Sequence, residues 1–222
     1  MPAPSLLRSE PVLLFAGVVD PLFTTRLRGC VIRQSSATAA SCEVLLVDGS
    51  AGADAPLPDG VVDAAGAPVA APLLSGPREL LERSRELGLV LGEGVTFEGL
   101  VRSVEVRWSS DGGSLLSLKA HGRLAAADTP PPTLTFQENL QEFTWSAGLE
   151  PRLSVRARGL ASGIPPLRCG ASAEIEGLRE AWSGSYRIGR VEWNWDLERG
   201  GFTSFEARRL TGPRARRPAP TA

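Results

Sequence analysis

Residues 182–209 read WSGSYRIGRVEWNWDLERGGFTSFEARR, and they decide the fold class. Tyr186 and Ile188 share one parity, whereas Val191, Trp193 and Trp195 share the other. Strand side chains alternate between two faces, so an uninterrupted strand cannot bury both sets. One extra residue flips the facing of everything after it. A β-bulge near Gly189 and Arg190 therefore reconciles the two sets. LERGG then supplies a turn, and Thr203, Phe205 and Ala207 return on one face. The stretch reads as a bulged β-hairpin.

A second stretch follows the same grammar. Residues 97–123 read FEGLVRSVEVRWSSDGGSLLSLKAHGR. Val104, Val106 and Trp108 lie opposite Ser103, Glu105 and Arg107. Asp111-Gly112 suits a tight turn, and Leu116, Leu118 and Ala120 return opposite Ser117, Lys119 and His121. An aromatic precedes x-Gly in both copies (Phe97 to Gly99, Trp182 to Gly184). Val104-Glu105 answers Val191-Glu192, Gly112-Gly113 answers Gly200-Gly201, and Ala120 answers Ala207. Upstream, residues 27–32 and 42–47 alternate around SSATAAS, a hairpin that rhymes with residues 153–157 after SAGLEP. The expected architecture is mainly β with little helix: two tandem β-barrel (split-barrel) domains related by an internal pseudo-repeat. It requires like strand layouts in the two halves, and halves that do not fuse into a single sheet.

The remainder of the chain punctuates this pattern. DTPPP at residues 128–132 reads as a linker, giving a first domain over 1–128 and a second over 129–210. Residues 49–77, rich in Ala, Pro, Gly and Asp, read as a long surface loop. Residues 211–222 carry Arg214, Arg216 and Arg217 and read as a disordered, solvated basic tail. Helical character is confined to PRELLERSRELG at 77–88, with Pro in a first turn and Gly at the end, although the following GLVLG competes for a strand.

Composition narrows the function. The 222 residues carry a formal charge of −1, which excludes a broadly basic nucleic-acid binder. Lys119 is the only lysine. The apolar runs at 12–19 and 87–91 are short and fall far below the ~20 residues of a membrane span, and no signal peptide is expected at residues 1–11. Cys30, Cys42 and Cys169 have neither an even count nor a CxxC spacing, so a reducing compartment and buried thiols are expected.

Catalytic signals are scarce. His121 is the single histidine, on an alternating strand with no local nucleophile. There is no phosphate-binding GxxxxGK[ST] or GxGxxG, and LGEG at 91–94 is a glycine turn. Asp196 and Glu198 flank a turn where solvated acids are expected. Trp182, Trp193 and Trp195 are expected in core and interface rather than as a ligand platform. The expectation is a protein that is not an enzyme, with no cofactor and no metal.

LRCGASAEIEGLREAWSGSYRIGRVEWNWDLERGGFTSFEARR, residues 167–209, resembles the last domain of the phage late control D family, the baseplate hub proteins of contractile tails, related to the hub portion of type VI secretion spike proteins. The pattern falls on Gly170, Gly177-Leu178, residues 183–188 (with Gly184 and Tyr186), residues 191–193 (with Val191 and Trp193) and residues 201–205 (with Gly201 and Phe205). Trp193 departs from it, standing where the family usually has His. Upstream, LTFQENLQEFTWSAGLEPRLSVRARG resembles the family segment around its Asn-Leu pair, here Asn139 and Leu140. FEGLVRSVEV resembles its Phe-x-Gly-x-Val strand, here Phe97, Gly99 and Val101. The resemblance spans roughly residues 12–210 of a shortened form that lacks most of the family's α/β insert and any spike-forming β-helix repeat.

The resemblance implies a structural baseplate hub or adaptor, a homotrimeric ring joining a hexameric inner tube to a central spike. Its partners would be the inner tube protein, a separate spike protein and other baseplate proteins. No nucleic acid or membrane span is expected, and assembly would occur in the bacterial cytoplasm before incorporation into the tail or injection particle. Two barrels per chain let a three-chain ring match sixfold order, with edge strands meeting across subunits. The alternative is a small-ligand-binding split barrel of the flavin type. A hydrolase of unfamiliar type has least support.

Overall fold

The computed structural model describes residues 10–48, 86–92, 95–108, 114–125, 130–148 and 154–210. The elements are β1 (Val12–Phe15), β2 (Val18–Val19), α1 (Pro21–Thr25), β3 (Leu27–Gln34), β4 (Ala40–Asp48), β5 (Glu86–Leu91), β6 (Val95–Trp108) and β7 (Ser114–Leu124). They continue with β8 (Thr133–Thr135), β9 (Leu140–Gly148), β10 (Ser154–Ser162), β11 (Ser172–Glu176), β12 (Gly184–Asp196) and β13 (Gly200–Arg209). The strands join in one strongly curled antiparallel sheet that forms a half-barrel, so the expected mainly β, nearly helix-free fold is what forms. The β8·β11 pair runs parallel.

The bulge read from residues 182–209 is present. Register in β12·β13 shifts between Ile188 and Arg190, leaving Gly189 extra. Tyr186 and Ile188 before it and Val191 and Trp193 after it are therefore all buried on one face. The shift keeps four large side chains out of water, each worth roughly 1.5–3 kcal/mol.

The two halves share one strand order but not every direction: β1 pairs antiparallel with β5, whereas β8 pairs parallel with β11. The first half pairs in the order β1-β5-β6-β7-β4-β3 and the second in the order β8-β11-β12-β13-β10-β9. Taken along the chain, β3, β4, β5, β6 and β7 answer β9 to β13 in sequence, and β1 and β8 hold the same place in the order with opposite direction. The irregularities match as well. Arg102 is the extra residue of β6 where Gly189 is that of β12, and Arg28 of β3 answers Gln141 of β9. These bulges fix the equivalence. Val104 falls on Val191 and Ala120 on Ala207, as the sequence suggests. Gly99 falls on Tyr186 and Phe97 on Gly184, however, so the expected match of Gly99 with Gly184 slips by two. Shared composition cannot fix register; the extra residue does.

Two further expectations are corrected. The halves do not close separate sheets. β11 covers only residues 184–187 of the longer β12, and β3 of the first half adds to residues 191–196. The expected helix ending at Gly88 is instead strand where it is described. Gly88 lies inside β5, and Leu87, Leu89 and Leu91 alternate into the core at 0–1% exposure. Period-two burial there outweighs helical spacing. Residues 77–85, the loop at 49–77, the Asp111-Gly112 turn and the tail at 211–222 lie outside the described residues, whereas residues 130–132 carry no strand.

The five-residue α1 was not expected, although its signal is local. Asp20 Oδ1 accepts from the Phe23 N–H at 3.2 Å and Pro21 opens the helix. One close approach depends on glycine. Gly99 and Gly122 face each other across β6·β7, and a Cβ on Gly122 would stand 2.0 Å from the Glu98 carbonyl oxygen.

Candidate functional site

The residues singled out by sequence are mostly interior. Phe97, Leu140, Tyr186, Val191, Trp193 and Phe205 are buried, and Val101 packs half-buried against the core. Tyr186 Oη donates to the Trp182 carbonyl at 2.7 Å, and Trp193 Nε1 donates to the Pro165 carbonyl at 3.0 Å. Asn139 ties a turn: its Oδ1 accepts from the Thr135 N–H at 2.7 Å and its Nδ2 donates to the Thr133 carbonyl at 3.3 Å. Gly177 takes a positive φ of 76° against Phe136, Gly184 takes 129°, and Gly201 lies against Ile164. These positions hold the fold; they do not converge on a cleft.

Among the described residues no cluster of His, Cys, Asp or Glu is arranged to hold a metal ion. Cys30, Cys42 and Cys169 are free, buried thiols, and burial pushes all three above the ordinary thiol range. Such thiols are poor nucleophiles. Cys169 instead ties the halves together: its N–H donates to Gln34 Oε1 at 2.9 Å, and its Sγ contacts the Gln34 carbonyl at 3.0 Å.

What the sheet leaves open is its edges. β5 covers residues 95–100 of β6, so the side of β6 away from β7 is unpaired from 101 to 108 among the described residues. At the other end, among the described residues, β9 pairs with β10 and otherwise meets a single bridge from Phe136 to Leu140, so its outer edge is open over residues 141–148. Natural edge strands are usually kept short, or blunted by lysine, proline or a covering element. LQEFTWSAG has neither lysine nor proline.

A ladder of alternating charge crosses the join between the halves. Arg107 Nε donates to Glu105 at 2.8 Å, which holds the Glu105 carboxyl below its usual range. Lys119 stands 3.9 Å from Glu105 and 3.7 Å from Glu43; Glu43 stands 3.7 Å from Arg33; Arg33 donates to Glu192 of β12 at 3.0 Å. The pairs are exposed, or half-buried at Arg33 and Glu192, and each exposed one contributes at most about 1 kcal/mol. Together they help fix the register of five strands.

Neither the edges nor this ladder was read from sequence. Unpaired backbone leaves no mark in residue type, and the ladder joins residues as far apart as Arg33 and Glu192.

No family model and no curated protein matches the sequence. Solved structures do match in fold. The tail protein from Neisseria meningitidis MC58 aligns with a TM-score of 0.57 at 8% identity, over 90% of this chain and 96% of that one. The E. coli c3393 protein, described as a type VI secretion component with structural similarity to the bacteriophage T4 tail proteins gp27 and gp5, aligns with a TM-score of 0.61 at 8% identity, over 90% of this chain and 77% of that one. The 43 kDa tail protein of prophage MuSo2 from Shewanella oneidensis aligns with a TM-score of 0.53 at 8% identity, over 89% and 96%. The chain therefore shares the fold of phage-tail and type VI secretion tail proteins.

Proposed function

We propose that this chain is a structural subunit of a phage-like contractile tail or injection apparatus, a trimeric hub or adaptor that joins the inner tube to the spike. The supporting observation is a junction made once inside the chain whose equivalent partners, residues 101–108 of β6 and the outer edge of β9, are left open among the described residues. Inside the chain, β3 adds antiparallel to residues 191–196 of β12. The equivalents of β3 and of that half of β12 are β9 and the unpaired half of β6. Carrying the internal register across places Val106 of one copy opposite Trp145 of the next, and Glu105 opposite Ser146.

Such a contact is head-to-tail, and it closes a ring where the rotation between copies comes full circle. Eight consecutive strands run from β6 to β9 in each chain. Three chains would give six similar units, so threefold and sixfold partners could both be met. The work is mechanical: a continuous hydrogen-bonded sheet holds tube and spike in line and carries the firing load. The inner tube protein, a separate spike protein and other baseplate proteins are the partners, met in the bacterial cytoplasm before the particle matures. No catalytic step is assigned.

Light scattering and electron microscopy test this reading. Closed rings with three times the 23.5 kDa chain mass are expected for the pure protein or in assembled particles. A chain that stays monomeric in both overturns it.

A further inference from the structure

The exposed face of the second half carries a charge pattern that the first half lacks. Arg187 of β12, Arg208 of β13 and Arg156 of β10 stand directly opposite one another across three adjacent strands. In the next row on the same face, Arg190, Glu206 and Arg158 do the same. Five arginines thus surround one glutamate, and the Arg158–Glu206 contact at 3.4 Å neutralises one of them. Arg156, Arg190 and Arg208 make no ion pair among the described residues, and Arg187 donates to the Gly170 carbonyl at 3.2 Å. A depression of about 540 Å³ lies among Arg156, Arg158, Arg208, Thr144 and Ser146.

Like charges directly opposite on neighbouring strands destabilise a sheet. Strands lie about 4.8 Å apart, so arginines opposite one another on adjacent strands stand within one Debye length at physiological salt. The fold does not require them. The equivalent positions in the first half are Ser41, Glu43, Leu100, Ser103 and His121, and Lys119 stands where Glu206 does. The same pairings recur there: Ser41 opposite His121, Glu43 opposite Lys119, Leu100 opposite His121 and Ser103 opposite Lys119. One backbone pattern therefore carries a balanced ladder in one copy and an unbalanced arginine cluster in the other.

We propose that this face is a docking surface for a carboxylate-rich segment of a partner protein. Guanidinium forks bind carboxylates bidentately, and Thr144, Ser146 and Ser204 add small hydroxyls beside them. Nucleic acid fits less well. Phe143, Tyr186 and Phe205 pack toward the core, and Phe202, on the arginine-bearing side of β13, lies two rows away opposite Ser162 and Asn194, so among the described residues no aromatic stands directly beside the arginines. A long phosphate chain leaving the patch along the sheet would also meet Glu192, Glu43 and Glu105. The proposal does not need the ring; within the ring the patch would recur once per chain and mark out threefold positions.

The test uses the full chain and two fluorescent probes of about 20 units, poly-L-glutamate and oligo-dT, followed by anisotropy at about 50 mM salt. Arg156→Glu/Arg208→Glu removes the patch. Arg102→Glu/Arg123→Glu makes the same charge change on the first half. Poly-glutamate is expected to bind the wild type more tightly than oligo-dT does. The patch variant should weaken that binding at least about tenfold, and the control less than about twofold. Equal losses in both variants, no poly-glutamate binding, or oligo-dT binding as tightly would overturn the proposal. The milder Arg208→Gln variant covers misfolding of the double variant: it should melt above the wild type and bind poly-glutamate more weakly. A lower melting temperature with unchanged binding would count against the proposal.

Discussion

Gly159 of β10 faces Phe205 of β13, and a Cβ there would stand 2.3 and 2.5 Å from two ring atoms of Phe205. Phe205 is only 3% exposed, so its ring has little room to turn away. In the first half the equivalent pair is Val44 and Leu118, also directly opposed and both fully buried. A larger and a smaller side chain have been exchanged across one strand pair with little change in filling. Gly159→Ala should therefore overpack the second half. Overpacking typically costs about 1–3 kcal/mol, and the lower entropy of the unfolded alanine chain offsets about 0.4–1 of it. The net loss is about 1.3 kcal/mol, or about 3–5 °C of melting temperature for a chain of this size. Phe205→Leu alone leaves a small cavity worth about 1–1.5 kcal/mol. Gly159→Val/Phe205→Leu recreates the first-half pair and should be less destabilised than the sum of its single changes by at least about 1 kcal/mol. Urea denaturation of the wild type, Gly159→Ala, and the cycle's Gly159→Val, Phe205→Leu and double variants measures this directly. A neutral Gly159→Ala, or strict additivity in the cycle, would refute the equivalence of the two halves.

Other outcomes follow from the same packing. Tyr186→Phe removes the donor to the Trp182 carbonyl and should cost about 1 kcal/mol in urea denaturation, with the fold otherwise intact. The three thiols should resist a thiol reagent in the native protein and react together on unfolding. Because burial raises their pKa, the unfolded chain ionises them first as pH rises. Stability should hold below about pH 8.5 and then fall by up to about 1.4 kcal/mol per pH unit for each thiol. Denaturation midpoints at pH 7, 8.5 and 10 would show that fall, and a flat profile would contradict it.

Much of the fold was legible because burial writes itself into strands with period two. The parity change between Ile188 and Val191 located the bulge at Gly189, since four large apolar residues had to share one face. The bulges at Arg28, Arg102 and Gln141 were not legible. Those at Arg28 and Gln141 lie next to the strand starts, where too few residues precede them to set a parity; the one at Arg102 did leave a flip, from Phe97 and Val101 to Val104 and Val106, which Leu100 beside it obscured. The helix expected through Gly88 failed where it is described, because leucines spaced two apart served the core better than the helical spacing before them. The duplication showed in the shared Val-Glu and Ala positions, yet its register did not, and Gly99 was matched two residues away from its true counterpart. The join of β3 to β12 escaped altogether, because strand pairing between distant segments depends on edge lengths and not on local composition. The arginine cluster was hidden for the same reason: Arg156, Arg187 and Arg208 become neighbours only after the sheet forms.

The claim on which the assembly rests is that β9 of one copy adds to β6 of the next in the register that β3 keeps on β12. Glu105→Cys/Ser146→Cys tests it on the full chain, because all three native thiols are buried and contribute no background. Mild oxidation should give reducible covalent dimers and closed trimers from the double variant, and no closed trimer from either single variant. Only monomers from the double variant in a preparation already shown to be trimeric, or the same cross-linked products from a single variant, would contradict the account.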